Sequence, residues 1–425
     1  MNIGYACITL GLIEQSYKKC LLKNASKEIL TELTHKNLST LEASMDYNIR
    51  NSIKLFRISS DVIPFGSHPV NKQEWWLDYN ESFNNIGSKI KGSNIRVSLH
   101  PGQYTVLNTP SKEVFQKSLQ DLIYHNRFLE ALDVDEKNKI IIHIGGIYND
   151  KKASIKRFIS NSKSIPKSVR DRIVIENDER CFNIEDLLYI SSKTSFPVVF
   201  DALHHFLNPP HKKTSDSDWI KKCKETWRNK DGTQKIHYSQ QAKNAKPGSH
   251  SKTIFIGEFL NYIKSIDADN LDIMLEVKDK NISCLKAKYC TDSFMPQKFL
   301  EQEWAKYKYL ILSYSQNAYS QIRNMLKEKN AMKYRVEFYK IIESAIQKER
   351  TKGGELNAIE HVWGYFREIS EASERIKYQK LVESFSNDKL KSRSIISFLK
   401  KLSLKYDISY LLNSYYFIDN LYQSI

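Results

Sequence analysis

The sequence predicts an α/β fold, a (β/α)8 TIM barrel over residues 1–300 with a helical C-terminal extension over residues 301–425. Short apolar runs recur eight times along the first part of the chain, and segments of helical length separate them. After about residue 300 the strand pattern stops, and long helical segments continue to the end. A doubly wound open sheet would alternate in the same way, so the alternation alone does not close the barrel.

The predicted strands are mostly apolar before their last residue, as expected for parallel strands buried on both faces. They are residues 3–8, 54–59, 95–100, 139–145, 172–177, 196–201, 235–239 and 272–277. Helices are predicted at 111–132, where Ser111 can serve as N-cap, at 183–193 and at 251–266. Residues 208–234 are longer and more basic than a usual loop, and we interpret them as an insertion after the sixth strand.

The composition narrows the class of protein. With 65 Lys and Arg against 49 Asp and Glu, the net charge of +16 favours a polyanionic partner, although a lysine-rich proteome gives the same excess. Scattered cysteines without a CxxC pair indicate reduced thiols. No signal peptide or transmembrane segment is predicted. We therefore expect a cytoplasmic protein, nucleoid-associated if bacterial, with no membrane partner.

Residues of the kinds that bind metals lie at the ends of these apolar strands or shortly after them. They are His100, His143, Glu176, Asp201, His204, His237, His250 and Glu276. On a barrel their side chains would meet at the C-terminal face, where barrel active sites lie. Each alone is more simply explained as a structural residue, and Asp201 with His204 as a capping pair. Repeated burial of ionisable groups at strand ends is nevertheless costly unless they are paired or metal-bound.

Five imidazoles and three carboxylates exceed the four ligands of one structural zinc. They suffice for two or three divalent ions, an arrangement suited to phosphodiester hydrolysis. Mixed histidine and carboxylate donors suit Zn²⁺, Mn²⁺ or Fe²⁺, so the donor set leaves the metal open.

Eight motifs, in order over about residues 1–290, resemble those of the UV damage endonuclease family. They are "FRISSDVIPFGSH", "VSLHPGQYTVLN", "IIIHIGG", "IVIENDE", "VVFDALHH", "KIHYSQQ", "GSHS" and "IMLEVKDK". The family is similar in fold and metal site to the endonuclease IV type of abasic-site nuclease. The resemblance does not extend to residues 301–425, and we carry nothing over to them.

The resemblance implies that the eight residues above hold two to three divalent metals, usually Mn²⁺, with Zn²⁺, Co²⁺ or Fe²⁺ as alternatives. By analogy with endonuclease IV, Glu176 would bridge two ions beside His100 and His143. Asp201, His237 and Glu276 would complete the second site, and His204 with His250 would anchor the third. Glu176, His143 and Lys235 are assigned to catalysis. Lys235 matches a lysine that can be carboxylated in this family, and the alternative is an ordinary strand lysine in an ion pair.

For DNA, the resemblance places Gln103 and Tyr104 at the lesion, with Tyr5 on the first strand-end loop as a further contact and His68 in the same cleft. The alternative for Tyr104 is an aromatic ring packed over the barrel rim. Five basic residues of the insertion could contact phosphates, and a solvated charged loop is the equal alternative. These are Lys212, Lys213, Lys221, Lys222 and Arg228.

The implied function is a metal-dependent DNA repair endonuclease without a nucleotide cofactor, acting on damaged double-stranded DNA. It would cut immediately 5′ to cyclobutane dimers and 6-4 photoproducts, with abasic sites as a further substrate, leaving a 3′-hydroxyl and a 5′-phosphate. A metal-activated hydroxide would attack in line. The alternatives are an abasic-site endonuclease of the endonuclease IV type, a sugar isomerase-like barrel and a non-catalytic DNA-binding protein. The sequence leaves protein partners and the role of the extension open.

Overall fold

The structure is a computed structural model and describes residues 1–12, 16–212, 214–267, 269–292, 296–328 and 331–421. The chain divides into two compact units. The barrel unit comprises Met1–Ile254 and Asn261–Leu285, and the helical unit comprises Phe255–Leu260 and Lys286–Ile425. The boundary therefore follows Leu285 and precedes the predicted one at residue 300. It falls inside the helix Asn281–Thr291, where helical periodicity gives no sign of a division.

Eight parallel strands close into a barrel in chain order, which confirms the predicted fold class. They are β1 (Asn2–Cys7), β2 (Leu55–Ile58), β3 (Arg96–Leu99), β4 (Lys139–His143), β5 (Ile173–Glu176), β6 (Val198–Asp201), β7 (Lys235–Tyr238) and β8 (Asp272–Leu275). β1 pairs with both β2 and β8, and this second pairing closes the ring. Each predicted strand overlaps an observed one.

Helices follow the strands in the order expected of this fold. They are α1 (Lys27–Arg50), α2 (Trp75–Asp78), α3 (Asn80–Gly92), α4 (Lys112–Ala131), α5 (Lys151–Ser162), α6 (Lys167–Arg170), α7 (Ile184–Thr194), α8 (Ala202–Leu207), α9 (Asp216–Lys224), α10 (Ile256–Ser265) and α11 (Asn281–Thr291). Ser111 caps α4 by accepting a hydrogen bond from the Val114 amide, as predicted. The insertion is partly helical, since it contains α9 and a short 3₁₀ turn, Asn229–Asp231.

The barrel interior changes in character from bottom to top. At the N-terminal end of the strands, Arg96 Nη1 lies 2.8 Å from Asp272 Oδ2, and Lys139 Nζ lies 2.6 Å from Asp231 Oδ1. Above these ion pairs, buried apolar side chains fill the interior, as in other barrels. They include Ala6, Leu55 and Met274 on one side and Ile141, Val174 and Val199 on the other. The ionisable strand-end residues form the top layer.

The helical unit has a core of its own. Its helices are α12 (Gln297–Tyr314), α13 (Gln316–Met325), α14 (Arg335–Ile346), α15 (Lys352–Trp363), α16 (Ala372–Ser386), α17 (Ser392–Lys405) and α18 (Ser409–Leu412). Trp363 and Tyr378 stack in this core with ring centroids 3.9 Å apart. The predicted helical extension is therefore present. Within the described residues, every helix is too short or too polar to cross a membrane.

Candidate metal centre

The predicted metal ligands come together at the C-terminal ends of the strands. His143, Glu176 and Asp201 are the last residues of β4, β5 and β6, and His237 lies within β7. His100 directly follows β3, and Glu276 directly follows β8. His204 lies in α8, and His250 lies in the loop after β7, where it forms an isolated bridge with Gln241. Strand topology therefore places all eight at one end of the barrel.

The carboxylate of Glu176 lies at the centre of this group and is fully buried. Its Oε2 is 3.1 Å from His100 Nε2 and 3.9 Å from His143 Nε2. Its Oε1 is 2.9 Å from His237 Nδ1 and 3.9 Å from His204 Nδ1. Four imidazoles from different segments thus surround one carboxylate.

A glycine lets the chain turn away directly beyond β4. Gly145 has φ +114°, a conformation that L side chains rarely adopt. A Cβ at this position would lie 2.3 Å from Asn108 Oδ1. Gly145 therefore allows close packing two residues after His143.

Asp201 has two roles, because it is both a cap and a potential ligand. Its Oδ1 accepts a hydrogen bond from the His204 amide at 2.7 Å, which begins α8. The side chain of Asn177 fixes the end of β6 by bonding both the carbonyl and the amide of Asp201. The His204 ring donates from Nδ1 to the Asn177 carbonyl at 2.9 Å. The capping explanation is therefore correct for one oxygen and leaves the other available.

Glu276 closes the site on the β8 side and contacts a cation that the sequence reasoning missed. Its carboxylate lies 3.3 Å from His237 Nδ1 and 3.5 Å from His250 Nε2. It also pairs with Arg57 of β2, whose side chain is largely buried. The alternation of β2 could have revealed Arg57, since it lies two residues after the inward-facing Leu55.

The charges of the site favour bound cations. Burial raises the pKa of Asp201 to about 6. Burial would also raise the pKa of Glu176, but His237 and His143 hold it well below its usual value. Burial would lower the pKa of His204, but the Asp201 and Glu176 carboxylates raise it to about 9. Three carboxylates thus share a buried site, and Arg57 supplies a permanent positive charge beside Glu276.

Two buried atoms test whether these residues fit metal ions. Asp201 Oδ2 and His237 Nε2 have no hydrogen-bond partner within the described part of the chain. Such atoms are costly in an apolar interior unless they bind something. The donors form three sets, and within each set the ligand atoms lie within 4.8 Å of one another. The sets are His100, His143 and Glu176; Glu176, Asp201 and His204; and Glu176, His237 and Glu276. The donor set therefore fits divalent metals.

The geometry groups the donors differently from the analogy with endonuclease IV. Glu176 is common to all three sets, and Asp201 falls with His204 instead of with His237 and Glu276. His250 belongs to none of the three sets and reaches the site through Glu276. The grouping of Asp201 with His204 follows from local geometry, because the cap formed by Asp201 holds His204 next to its carboxylate.

Lys235 lies one layer below the metal-binding residues. It is buried in β7, and its Nζ donates to Ser98 Oγ at 2.9 Å. In the described residues no carboxylate lies within 4.0 Å of Nζ, so the structure does not support the ion-pair alternative. Burial lowers the pKa of Lys235 well below its usual value, which favours a neutral amine.

The loop after His100 presents two side chains to solvent. Gln103 is exposed, and Tyr104 is 82% exposed, so its ring does not pack over the barrel rim. His68, which is also exposed, lines a cavity of about 460 Å³ together with Tyr104. The structure therefore brings His68 and Tyr104 to one cleft.

The predicted position of Tyr5 is wrong. Tyr5 lies within β1 and not on a loop, and its ring is fully buried against Phe56. Its hydroxyl bonds Thr9 at 2.6 Å and Asn48 at 2.8 Å. A fully buried side chain offers no surface to DNA, so the structure contradicts that assignment.

The basic residues of the insertion have different surroundings. Lys212 and Lys221 are exposed, Lys222 lies over the Trp219 ring at 4.1 Å, and Arg228 pairs with Asp231 at 2.8 Å. Lys213 lies outside the described residues.

Two family models match the chain. One, described as UV-endonuclease UvdE, matches residues 2–293, and the other, a protein of unknown function (DUF1722), matches residues 308–419. The crystal structure of SacUVDE is similar with a TM-score of 0.64 and 36% sequence identity. That match covers 71% of this chain and 99% of the SacUVDE chain.

Curated relatives agree with these matches. The UV DNA damage endonuclease of Clostridium perfringens (strain 13 / Type A) is 38% identical over 398 residues, covering 92% of this chain and 94% of that protein. The UV DNA damage endonuclease of Bacillus cereus (strain Q1) is 31% identical over 297 residues, covering 67% of this chain and 93% of that protein. The chain therefore belongs to the UV-endonuclease UvdE family.

Proposed function

We propose that this protein is a metal-dependent endonuclease that cuts damaged duplex DNA immediately 5′ to cyclobutane dimers and 6-4 photoproducts. The products are a 3′-hydroxyl and a 5′-phosphate. One observation carries the proposal: seven metal-type donors form overlapping sets that share Glu176, next to a loop that exposes Gln103 and Tyr104. Membership of the UvdE family supports the same reading.

We assign two to three divalent ions to the donors around Glu176, with Mn²⁺ as the expected ion and Zn²⁺, Co²⁺ or Fe²⁺ as alternatives. Such ions, when bound, activate water as a nucleophile and neutralise charge on the phosphate. Asp201 Oδ2 and His237 Nε2, which are buried without partners in the described chain, would serve as ligand atoms. Hydrolysis of the phosphodiester by activated water needs no nucleophilic side chain from the protein.

The chain's own residues position the centre and the substrate. Glu176 and His143 hold the donor geometry, and Asn177 locks the ends of β6 and α8 through its hydrogen bonds. Photoproducts weaken base stacking, so the damaged nucleotides leave the helix at lower cost than normal ones. Gln103 and Tyr104 then enter the gap. The net charge of +16 attracts the polyanionic duplex.

We also propose that Lys235 is carboxylated on Nζ. Its burial and lowered pKa favour the neutral amine that reacts with CO₂. The adjacent Ser98 hydroxyl, 2.9 Å from Nζ, can reorient to donate to the new carboxylate. Growth in ¹³C-bicarbonate followed by ¹³C NMR of the native protein should show one carbamate signal. Lys235→Met should lose that signal, and its presence in the variant would contradict the assignment.

Strand nicking on a defined substrate tests the main proposal. A duplex with one cyclobutane dimer and a labelled damaged strand is incubated with the Mn²⁺-loaded protein, and the cut is mapped to the nucleotide. We expect one cut immediately 5′ to the dimer and none in Glu176→Ala. An intact dimer duplex with active metal-loaded protein would reject the proposal.

A second duplex separates the abasic-site alternative. It carries a single abasic site in the same sequence, and both substrates are compared with one protein preparation. Cutting at both lesions is expected if weakened stacking is what the Gln103–Tyr104 loop detects. Cutting at the abasic site alone would instead identify an endonuclease of the endonuclease IV type.

A further inference from the structure

Phe206 is an exposed aromatic residue to which the sequence reasoning gave no role. Among the described residues, the two most exposed large apolar side chains are Tyr104, at 82%, and Phe206, at 76%. A single exposed apolar residue is ordinary in itself. The position of Phe206 sets it apart, because it lies in α8 two residues after the potential ligand His204.

Tyr104 and Phe206 rise from different sides of the same barrel rim. Tyr104 follows β3 and Phe206 follows β6, and the barrel order places β4 and β5 between them on the shorter path. These two intervening strands end in His143 and Glu176. The segments that carry the two exposed rings therefore begin on either side of the strands that end in these central donors.

The backbone beneath Phe206 is fixed on both sides. Before it, His205 is buried, with its ring centroid 4.9 Å from that of Phe200 and 6.2 Å from that of Trp219. After it, Asn208 Nδ2 donates to the Asp178 carbonyl at 3.0 Å. The backbone that carries the ring is thus held in place by its neighbours, and a pre-organised backbone reduces the entropy cost of binding.

The segment after Phe206 carries an exposed lysine. The chain continues through Leu207 and Asn208 to Pro209, Pro210, His211 and Lys212, and the last two side chains are exposed. Aromatic faces stack on bases, and neighbouring cations contact the phosphates of the same strand. An exposed ring followed by a lysine therefore fits a nucleic-acid strand better than an apolar protein surface.

We propose that Phe206 stacks on a base next to the lesion, across the metal centre from Tyr104, and that Lys212 contacts a phosphate of that strand. The damaged duplex would then contact two aromatic residues, Tyr104 and Phe206. This inference rests on the proposed function, because it assumes that a damaged duplex occupies this face.

Binding of an uncut dimer duplex tests the inference. Full-length variants are built on Glu176→Gln, so that the duplex stays intact, and affinity is measured by fluorescence anisotropy. Phe206→Ala should bind the dimer duplex at least about fivefold more weakly, since stacking contributes about 1–3 kcal/mol per base. Phe206→Tyr should stay within about twofold of the parent. Tyr189→Ala removes an exposed aromatic of α7, outside the proposed contact, and should bind normally.

Two further measurements identify the contact itself. A 2-aminopurine next to the dimer should change its emission when the parent binds, and Phe206→Ala should abolish that change. Lys212→Ala should reduce the slope of log K against log salt by about one, as expected for one lost phosphate contact. The melting temperature of Phe206→Ala should equal that of the parent, since the ring is exposed.

The outcomes separate this inference from the proposed function. If Phe206→Ala matches the parent in affinity and emission while Tyr104→Ala does not, the inference is wrong and the proposed function stands. Equal weakening in Phe206→Ala and Tyr189→Ala also overturns it. If the metal-loaded wild type leaves the dimer duplex uncut, the proposed function fails and the inference fails with it.

Discussion

The Ser60 hydroxyl lies 2.8 Å from the carbonyl oxygen of His100 and so holds the start of the Gln103–Tyr104 loop. His125 Nε2 lies 2.9 Å from the same hydroxyl, and His125 Nδ1 donates to the Asp121 carbonyl. Asp121 in turn accepts from Thr105 Oγ1 at 2.6 Å, directly after Tyr104. Both ends of the loop are therefore tied to α4. Because the tie includes His100, one network positions a potential ligand and the exposed Tyr104.

Removing the Ser60 hydroxyl should loosen this loop and lower lesion discrimination. One hydrogen bond contributes about 1 kcal/mol, so Ser60→Ala should reduce the ratio of dimer to undamaged affinity by about fivefold. Anisotropy with both duplexes measures the ratio. Ser67→Ala is the control, since Ser67 is exposed and lines the same cavity as Ser60. Equal ratios in the two variants would contradict the positioning role.

His100 and Tyr104 should separate metal binding from damage sensing. His100→Ala removes a donor beside Glu176 and should lower both metal content and nicking by at least about tenfold. Tyr104→Ala should keep its metals and its melting temperature, because the ring is 82% exposed, yet lose preference for the dimer duplex. Elemental analysis and nicking of the same samples check both outcomes. Loss of metal in Tyr104→Ala would show that the two roles are not separable.

The sequence predicted the top of the barrel well, because a parallel barrel brings strand ends together. An ionisable residue that ends a buried strand, such as Glu176, must then lie at the C-terminal face. Tyr5 lies inside both the predicted strand 3–8 and the observed β1, so its assignment to a loop came from the family resemblance and conflicted with the strand prediction.

Other features depend on long-range contacts that no local pattern encodes. The ion pair between Arg57 and Glu276 joins residues at opposite ends of the barrel sequence. The network through His125 was missed because a histidine inside a predicted helix gives no sign of its partner on another loop. The grouping of Asp201 with His204 follows from a cap geometry that the analogy with endonuclease IV did not include.

The ion pair of Lys139 and Asp231 should support the barrel without affecting the reaction. Both side chains are fully buried, and breaking such a pair typically costs about 3–5 kcal/mol. Lys139→Met should lower the unfolding free energy by about 3 kcal/mol. This is the lower end of that range, because Arg228 still neutralises Asp231. Urea unfolding measures the loss, and nicking per folded molecule should be unchanged. Lys139→Met/Asp231→Leu should recover part of the stability, and a further loss would contradict this account.

Asp171 gives the stability a dependence on acid pH. Lys167 and Lys230 overcome the effect of burial and lower the pKa of Asp171 to about 2 from its ordinary 3.8. A lowered folded pKa stabilises the protein above pH 3.8, and this contribution is lost as pH falls through about 2. Asp171→Asn should cost about 1 kcal/mol at pH 7, since both lysines are exposed and screened. The melting temperature of Asp171→Asn should lie below that of the wild type by a constant amount from pH 7 to 5, and the two should converge below pH 4. A difference that does not depend on pH would exclude the ion pairs as its cause.

Arg57 should matter most when the metals are absent. Its guanidinium pairs with the buried Glu276 carboxylate, so Arg57→Met leaves that carboxylate without its fixed cation. Removing one partner of a buried pair costs about 3–5 kcal/mol, and bound divalent ions would supply the missing positive charge. We therefore expect a large drop in melting temperature in EDTA and a much smaller one in Mn²⁺. Arg50→Met, at the end of α1, is the control and should melt like the wild type in both buffers. An equal drop in both buffers would mean that Arg57 stabilises the barrel independently of the metals.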